Sequence, residues 1–316
     1  MANNTFVLMP ESLVNRCQSL PVGSKLCILG AGFSGSRLAT LAAALQIPVI
    51  STRREPDPAS GHLAFDTTTG QIPDPRQLEG VTHLLNTIPP DRQGNDPVLQ
   101  TLGDQIKHWP LRWVGYLSTT GVYGNTDGAW VSENDRPQPT QERSRRRLAC
   151  EQEWLSKGLP LQILRLPGIY GPGRSALAAV KAGTLTPVDK PGQVFCRIHV
   201  DDVAAAALHL MHCSAQGQHP EIVNVCDDEP AASLAVHRYA ASLLKCDLPR
   251  AKPFTEAEAS MSVMARTFWA DNRRVSNQRL RKDLGYELIY PTYRSGLKQC
   301  LEIEALRESK TPSFPA

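Results

Sequence analysis

Long apolar runs are missing from this 316-residue chain, and so is a strong charge of either sign. No run approaches the roughly 20 apolar residues that cross a bilayer. Glu11 and Arg16 interrupt the first 25 residues, which therefore lack the compact apolar stretch of a secretion signal. The formal net charge of +3 is far below the basic surface that nucleic acid selects. These absences predict a protein with no membrane span, no membrane partner and no nucleic-acid partner.

Paired cysteines are also missing. The chain has eight cysteines, and none forms a C-x-x-C pair. This spacing excludes both a zinc cage and a dithiol redox site, so we predict no metal centre. Several cysteines interrupt apolar runs, as Cys27 and Cys226 do, which is typical of small buried hydrophobic residues in a reducing compartment. We therefore expect a cytoplasmic protein.

Short apolar runs alternate with helical patterns through the first half of the chain, which indicates a parallel sheet with crossover helices. The predicted strands span residues 25–29, 48–52, 61–65, 81–86, 112–118, 161–166 and 222–225. The predicted helices span residues 34–45, 141–155 and 199–211. The fold class that this order predicts is α/β, a doubly wound parallel Rossmann sheet with a smaller C-terminal substrate lobe.

The domain boundaries follow from where this alternation stops. Residues 25–170 are predicted to form the dinucleotide-binding domain, to which residues 196–229 return. Residues 171–195 are rich in glycine and proline and are predicted to leave the sheet. Residues 230–316 change to helical patterns broken by prolines, so they complete the predicted substrate-binding lobe with 171–195.

A glycine-rich turn follows the first predicted strand. Gly30, Gly32 and Gly35 form a G-x-G-x-x-G pattern, and Phe33 and Ser34 open the helix after it. The first glycine permits a tight turn, the second lets a pyrophosphate approach the backbone, and the third lets helix and strand pack closely. N–H groups at the helix start then favour the anion. The alternative, a glycine turn without a ligand, is disfavoured by the flanking strand and helix.

The end of the second strand distinguishes NAD from NADP. An acidic residue there bonds the ribose 2′-hydroxyl, whereas arginine accommodates a 2′-phosphate. The chain has Arg53 and Arg54 at this point, and its first carboxylate is Glu55. NADP(H) is therefore favoured over NAD(H), and either arginine is a candidate for the phosphate contact. Arg37, in the first helical turn, is predicted to be a surface residue or a further phosphate ligand.

Six motifs in order resemble the extended short-chain dehydrogenase/reductases, the NAD-dependent epimerase/dehydratase family, and within it the atypical YeeZ-like branch. Besides the glycine pattern they are Phe65-Asp66, Asn86-Thr87-Ile88-Pro89, Ser118-Thr119-Thr120-Gly121-Val122-Tyr123-Gly124, Leu164-Arg165-Leu166-Pro167-Gly168-Ile169-Tyr170-Gly171-Pro172-Gly173 and Ile198-His199-Val200-Asp201-Asp202-Val203. They cover residues 25 to about 230.

The resemblance implies roles for individual residues. Asp66 would meet the adenine edge, and Thr87 would lie along the cofactor near its ribose and phosphates. Thr119 matches the serine or threonine that bonds the reacting carbonyl. Alternatively, Asp66 caps a turn and Thr87 satisfies backbone groups at the strand end. The implied nicotinamide wall consists of Pro167, Gly168 and Ile169.

The chain departs from this family at the catalytic Tyr-x-x-x-Lys. The run from Arg147 to Glu151 aligns with the usual Lys-Leu-x-x-Glu, so Arg147 takes the lysine position and Arg143 the tyrosine position. Arginine stays protonated at physiological pH and is no general acid or base. Arg147 keeps the charge and donors that bind a ribose or phosphate. Tyr123 and His199 are the substitutes considered for the proton transfer, each with a structural alternative.

The same departures limit the substrate. The dehydratases of the family carry an acidic pair after the catalytic threonine, whereas this chain has Thr120 and Gly121, which disfavours dehydration. Nucleotide-sugar members place an arginine where this chain has Phe195. The candidates for substrate binding are Arg197, on the same face two residues later, and Arg174, after a Gly-Pro-Gly turn.

Three functions follow. The first is an NADP-dependent oxidoreductase or epimerase-like enzyme that acts on a small molecule, with Thr119, Tyr123 and Arg147 as catalytic candidates. The second is a non-catalytic NADP(H) sensor, and the third a scaffold without cofactor. Relatives pair through the helix at residues 141–155, which implies a homodimer, although the charged run in that helix is also typical of a solvated face.

Overall fold

The computed structural model describes residues 10–183 and 185–310. The strands are β1 (Leu26–Leu29), β2 (Val49–Arg53), β3 (Leu63–Ala64), β4 (His83–Asn86), β5 (Trp113–Thr119), β6 (Trp130–Val131), β7 (Leu161–Leu166), β8 (Gly168–Tyr170), β9 (Val188–Asp189), β10 (Arg197–His199), β11 (Ile222–Asn224), β12 (Lys252–Pro253) and β13 (Arg274–Val275). The helices are α1 (Glu11–Val14), α2 (Phe33–Ala44), α3 (Pro97–Ile106), α4 (Glu142–Leu155), α5 (Ala176–Lys181), α6 (Val200–Ala215), α7 (Ser233–Leu244), α8 (Phe254–Ala257), α9 (Val263–Ala270) and α10 (Tyr293–Lys310).

In the described part of the chain, a seven-stranded parallel sheet has the order β11-β7-β5-β4-β1-β2-β3. The chain runs outward from β1 through β2 to β3, and then returns to the other side of β1 at β4. Ligands of open α/β sheets bind at the carboxyl ends of the strands where the order reverses, here between β1 and β4. The predicted α/β fold class is confirmed.

Apolar side chains cover both faces of this sheet. On one face α2 and α6 bury residues such as Leu38 and Leu208 against β1 and β7, and on the other α3 and α4 bury Leu102 and Trp154. A third cluster joins α5, α7 and α10 around Tyr170. All four residues of β1 are buried, which is why that strand is a continuous apolar run.

The predicted lobe is more closely joined to the sheet than its composition suggests. Leu280, Leu284 and Leu288 pack in the same cluster as α2 and α6. The Asp202 carboxylate, on α6, accepts hydrogen bonds from the N–H groups of Ile289 at 2.7 Å and Tyr290 at 2.9 Å. The domain boundaries stay a prediction, and residues 311–316 of the predicted lobe lie outside the described residues, as do residues 1–9 of the segment examined for a secretion signal.

The interpretation of Arg37 as a surface residue is wrong, and its alternative role as a phosphate ligand stays a prediction. Its side chain is 4% exposed, and its Nε donates to Asp201 Oδ1 at 2.5 Å across the α2–α6 contact. Asp201 is fully buried and lies 164 positions later in the chain. A buried charge needs a partner of opposite sign, and this one joins two helices on the same face of the sheet.

No helix in the described ranges is long and apolar enough to cross a membrane. Cys27, Cys150, Cys196, Cys213, Cys226 and Cys300 are buried and unpaired. Burial raises the pKa of the Cys27 thiol to about 12, so this residue acts as a small apolar group.

Candidate functional site

The turn after β1 is held in shape by Thr87. Gly30 has a φ of +93°, and a Cβ on it would lie 2.7 Å from Thr87 Oγ1. The Thr87 hydroxyl donates to Gly30 O, and the Thr87 N–H donates to Leu29 O at 2.9 Å. Thr87 therefore holds the ends of β1 and β4 together at the switch point, beside the path implied for a cofactor.

The start of α2 is open to a ligand. Gly32 precedes the helix without a side-chain cap, so N–H groups of the first turn have no partner from the helix itself. A Cβ on Gly32 would meet nothing within 4 Å, whereas a Cβ on Gly35 would lie 2.4 Å from Gly30 O. Gly35 is therefore needed for packing, while Gly32 leaves space above the helix start that a diphosphate fits. We call residues 30–35 the glycine-rich turn.

Two arginines stand at the end of β2 beside this turn. Arg53 donates from Nε to Ala31 O at 2.9 Å and from Nη2 to Ser36 Oγ at 3.0 Å. Arg54 is exposed and makes no hydrogen bond or ion pair with the described residues. One guanidinium is thus hydrogen-bonded to the turn, and the other is exposed near the Asp66 carboxylate, whose pKa its charge helps to lower. Both are adjacent to the position where the ribose of a dinucleotide would follow the diphosphate.

His62 is a neighbour that sequence reasoning missed. Its Nδ1 lies 2.6 Å from Ser51 Oγ, so it sits beside β2 close to Arg53. Burial, and then the nearby Arg53 charge, lower the pKa of His62. Nothing in the sequence links His62 to β2 except the short strand that follows it.

Asp66 forms a turn of its own. Its Oδ1 accepts from the Thr68 hydroxyl at 2.7 Å and the Thr68 N–H at 2.9 Å. These hydrogen bonds lower the pKa of Asp66. The carboxylate is 9% exposed and is held in position just beyond β3.

A cleft of about 610 Å³ opens at the carboxyl end of β5. We call it the arginine cleft; its lining residues include Asp91, Thr119, Arg143, Arg146, Arg147, Pro167, Gly168, Arg174, Phe195, Cys196, Arg197, Phe268, Asp271 and Arg273. Thr119 is the last residue of β5, and its Oγ1 accepts from the Gly121 N–H at 3.1 Å. The Thr119 hydroxyl donates to no acceptor among the described residues, so its proton is available to a ligand. Ile169 packs against the sheet core.

Helix α4 brings Arg143 and Arg147 to the arginine cleft, one turn apart. Nη1 of Arg147 donates to Leu117 O at 3.0 Å and to the Tyr116 hydroxyl at 3.1 Å, and its guanidinium lies 5.4 Å from the Tyr116 ring centre. Arg143 is exposed and has no hydrogen bond or ion pair among the described residues. Arg147 is therefore anchored on β5, while Arg143 is free to bind a ligand.

A buried ion pair fixes α4 on the sheet. Glu151 is 1% exposed and accepts from Arg165, which is 2% exposed, at 2.7 Å and 3.2 Å. The Ser118 hydroxyl also donates to Glu151. The sequence marked Glu151 only as the end of a motif, because nothing in its spacing from Arg165, 14 residues later on β7, indicates an ion pair.

The two proposed substitutes for the proton transfer lie inside the protein. Tyr123 is 2% exposed, stacks on the Arg165 guanidinium at 4.8 Å and donates from its hydroxyl to Asn224 Oδ1 at 2.8 Å. His199 is fully buried, and its Nδ1 accepts from the Asp201 N–H at 3.2 Å, which caps α6. Burial lowers the pKa of His199 to about 4. Neither side chain lines the arginine cleft.

Both predicted substrate-binding arginines line the cleft. Nη1 of Arg197 donates to Phe195 O at 2.8 Å and Ala231 O at 3.0 Å, which fixes its guanidinium. Arg174 lies 5.3 Å from the ring centre of Phe33, so it connects the cleft with the glycine-rich turn. The structure adds Arg146, Arg273 and Phe268, which sequence reasoning missed because they belong to no motif.

Groups that exchange protons near neutral pH are scarce in the arginine cleft. Its lining includes no tyrosine, histidine, lysine or glutamate from residues 10–183 and 185–310. The carboxyl and thiol groups that do line it belong to Asp91, Asp271 and Cys196. Asp271 accepts from the Thr140 hydroxyl at 2.6 Å and from Arg273 at 3.1 Å, and burial raises the pKa of Cys196 to about 11. The cleft is suited to positioning and electrostatic stabilisation.

Comparison with known proteins shows which proteins this chain is similar to. No protein-family model matches the chain. A functionally unknown conserved protein of Silicibacter pomeroyi is 42% identical with a TM-score of 0.79, covering 88% of this chain and 98% of its own. A Methylobacillus flagellatus protein assigned to the NAD-dependent epimerase/dehydratases is 26% identical with a TM-score of 0.70, covering 90% and 99%.

A curated protein, YeeZ, also matches this chain. Protein YeeZ of Escherichia coli K12 is 27% identical over 215 residues, which cover 66% of this chain and 71% of YeeZ. Together with the motifs at residues 30–35, 118–124 and 164–173, these matches confirm the resemblance predicted from the sequence. In sequence and in fold, the chain therefore resembles the NAD-dependent epimerase/dehydratases among the short-chain dehydrogenase/reductases, and YeeZ is one of its curated relatives.

Proposed function

We propose that the protein is an NADP(H)-dependent oxidoreductase or epimerase-like enzyme that acts on a small carbonyl, hydroxyl or sugar-type substrate. The observation that carries this proposal is the uncapped start of α2, with open space above Gly32, directly beside a cleft that contains Thr119. The contact between Arg174 and Phe33 makes the turn and the cleft continuous, as a cofactor that spans both requires.

The residues present fit a nicotinamide dinucleotide. The glycine-rich turn would hold the diphosphate, and Pro167 and Gly168 would wall the nicotinamide, which supplies or accepts a hydride when bound. Thr119 would donate its free proton to the reacting oxygen of the substrate. Arg147, anchored through Nη1, would keep its remaining N–H groups on the nicotinamide ribose.

The 2′-phosphate is assigned to the arginines at the end of β2. No carboxylate stands at this position, where NAD-specific proteins hold the ribose hydroxyls. Arg53, fixed by Ala31 O and Ser36, would meet the phosphate at a set position, and Arg54 would add a second charge. The unpaired cysteines support a cytoplasmic location.

A second candidate function is a non-catalytic NADP(H) sensor. The observation that favours it is the lack of a tyrosine, histidine, lysine or glutamate in the lining of the arginine cleft within the described ranges. Hydride transfer needs mainly a positioned nicotinamide and substrate, so this lack does not prevent a reaction whose proton comes from water. Retention of Thr119 and the Pro167-Gly168 wall favours the enzyme.

The experiment that tests the proposal has two stages. NADPH and NADH are first titrated by fluorescence, and NADPH oxidation is then measured against a panel of carbonyl compounds. We expect tighter binding of NADPH and turnover of at least one carbonyl. Binding of NADPH without turnover on any compound favours the sensor, and no binding of either cofactor overturns both functions.

A further inference from the structure

The arginine cleft carries more positive charge than its own carboxylates neutralise. Arg273 pairs with Asp271 at 3.1 Å, and Arg146 pairs with Glu142 at 3.1 Å. Asp91 accepts from the Asn95 N–H at 2.9 Å. The remaining lining arginines have no carboxylate within 4.0 Å among the described residues; they are Arg143, Arg147, Arg174 and Arg197.

Two of these four are accounted for by the proposed cofactor. Arg174 stacks on Phe33 of the glycine-rich turn, and Arg147 is anchored on β5 below the implied nicotinamide ribose. Arg143 and Arg197 approach the cleft from different elements, α4 and β10. Arg197 is the register partner of Gly168, so it stands directly beside the implied nicotinamide wall.

The Arg197 guanidinium is held in a fixed position from which it can bind an anion. Two carbonyl oxygens hold its Nη1, which leaves the other edge of the guanidinium available to a ligand. Its strongest charged neighbour is Asp227, a 2% exposed carboxylate whose Oδ2 has no hydrogen-bond partner. Asp227 and Arg197 form no ion pair within 4.0 Å, and Asp227 Oδ1 instead accepts from the Glu229 N–H at 3.3 Å.

A flat apolar wall stands next to Arg197. The rings of Phe195 and Phe268 stack at 4.4 Å with an angle of 9°, and both line the cleft. The Arg197 guanidinium lies 6.0 Å from the Phe195 ring centre. A planar apolar body against these rings would therefore place an attached oxyanion within reach of the guanidinium. An arginine fork binds carboxylate and phosphate oxygens alike.

We infer that the substrate is a small organic anion with a planar apolar body, and that Arg143 and Arg197 bind its carboxylate or phosphate. The inference rests on the proposed function, since it assigns the substrate class of the same cleft. Arg143 then takes a substrate-binding role at the position where the family has its catalytic tyrosine. The proposal requires no new covalent step.

The test is binding to protein first saturated with NADP⁺, so that the phosphate sites of the glycine-rich turn are occupied. Benzoate, phenyl phosphate and neutral benzamide are titrated by calorimetry. We expect one of the two anions to bind at least ~10-fold more tightly than benzamide, and their order identifies the oxyanion. UDP-glucose is the fourth probe, and binding of it more tightly than either anion overturns the inference.

Single substitutions test which arginines bind the anion. Arg143→Gln and Arg197→Gln should each weaken the preferred anion by at least ~5-fold, because each removes a charged hydrogen-bond donor. Arg145→Gln is the matched control: Arg145 is on the same helix, donates to Thr140 O and does not line the cleft. Thermal unfolding verifies that each variant is folded.

The failures are distinguishable. Failure to load NADP⁺ or NADPH overturns the proposed function. Normal loading with equal affinities for benzoate, phenyl phosphate and benzamide, or with no binding of any of them, overturns only the substrate class. Equal effects of Arg143→Gln and Arg145→Gln overturn the assignment of Arg143.

Discussion

The glycine-rich turn and the arginine cleft adjoin each other, yet one is built from backbone and the other from side chains. The turn offers N–H groups and the space above Gly32, and its form is fixed by Gly30 and Gly35. The cleft offers the guanidinium groups of α4 and β10 and the hydroxyl of Thr119. The comparison teaches that a backbone site keeps its ligand class as long as its glycines remain, whereas a side-chain site changes its chemistry with single substitutions.

The largest expected effect tests the edge of the turn. Arg53→Glu combined with Arg54→Ala should weaken NADPH by ~100-fold, about 2.7 kcal/mol, because a carboxylate would face the 2′-phosphate. NADH should change by less than ~3-fold. Fluorescence titration measures both, and Arg76→Glu, an exposed arginine in another turn, serves as the control. Equal losses for both cofactors would mean that the arginines support the turn without reading the phosphate.

Next, Gly32→Ala tests whether the space above the turn belongs to a ligand. The φ of Gly32 is −75° and its Cβ meets no protein atom within 4 Å, so the folded protein should tolerate the change. Binding of NADPH and NADH should both fall by ~30-fold, because the methyl group takes the place of the diphosphate. Gly103→Ala on α3 is the control. Unchanged affinity at an unchanged melting temperature contradicts the assignment of the turn.

A smaller effect is expected inside the cleft. Thr119→Val should lower kcat on a turned-over carbonyl by ~10-fold, because one hydrogen bond to the reacting oxygen is lost. Thr119→Ser keeps the hydroxyl and should recover most of the rate. Cofactor affinity should stay within ~2-fold for both variants. If the valine variant lost cofactor affinity in proportion to its rate, Thr119 would contribute to cofactor binding. The glycine-rich turn and the arginine cleft would then not act as separate sites.

The last prediction concerns stability rather than ligand affinity or rate, and it tests the support beneath both regions. Between pH 6.5 and 4 the unfolded chain protonates His199 while the folded protein does not, because burial lowers its pKa to about 4. Acidification through this window therefore costs stability, at most about 3 kcal/mol. His199→Asn keeps an acceptor for the Asp201 N–H and does not titrate. Urea unfolding should therefore show that the variant loses less of its free energy of unfolding between pH 6.5 and 4. Asp202, whose pKa burial raises to about 6, affects stability in the opposite direction on acidification, and it is present in both proteins.

An equal loss of stability in the two proteins would remove His199 from the account of α6. The His199 cap of α6 would then not contribute to the pH dependence of stability. The loss of stability on acidification would be assigned to other buried groups such as His83, whose pKa burial also lowers to about 4.

Sequence patterns predicted the sheet well because its central strands β1, β4, β5 and β7 are short and almost entirely buried. Residues 161–166 form β7 as predicted, and β1 begins one residue later than predicted. Helix α3 was missed, although Asp96 caps it and Pro97 occupies its first position, a recognised start signal. The prediction weighed apolar runs above that signal.

The side-chain partners of the site depended on contacts between distant positions. Arg37 with Asp201, and Glu151 with Arg165, pair across elements that no local spacing connects. The motifs located four lining residues in one region: Thr119 ends β5, Arg143 and Arg147 are on α4, and Arg197 begins β10 beside Gly168, just after the end of β7. Phe268 comes from α9 and could be found only from the fold.

The central claim is that the backbone at residues 30–35 binds a dinucleotide diphosphate, with Arg53 and Arg54 beside it. Calorimetric titration of the full chain with NADPH and NADH at up to millimolar concentration tests it most directly. The account predicts saturable heat with NADPH, and a weaker response with NADH. The absence of heat from either cofactor would contradict it.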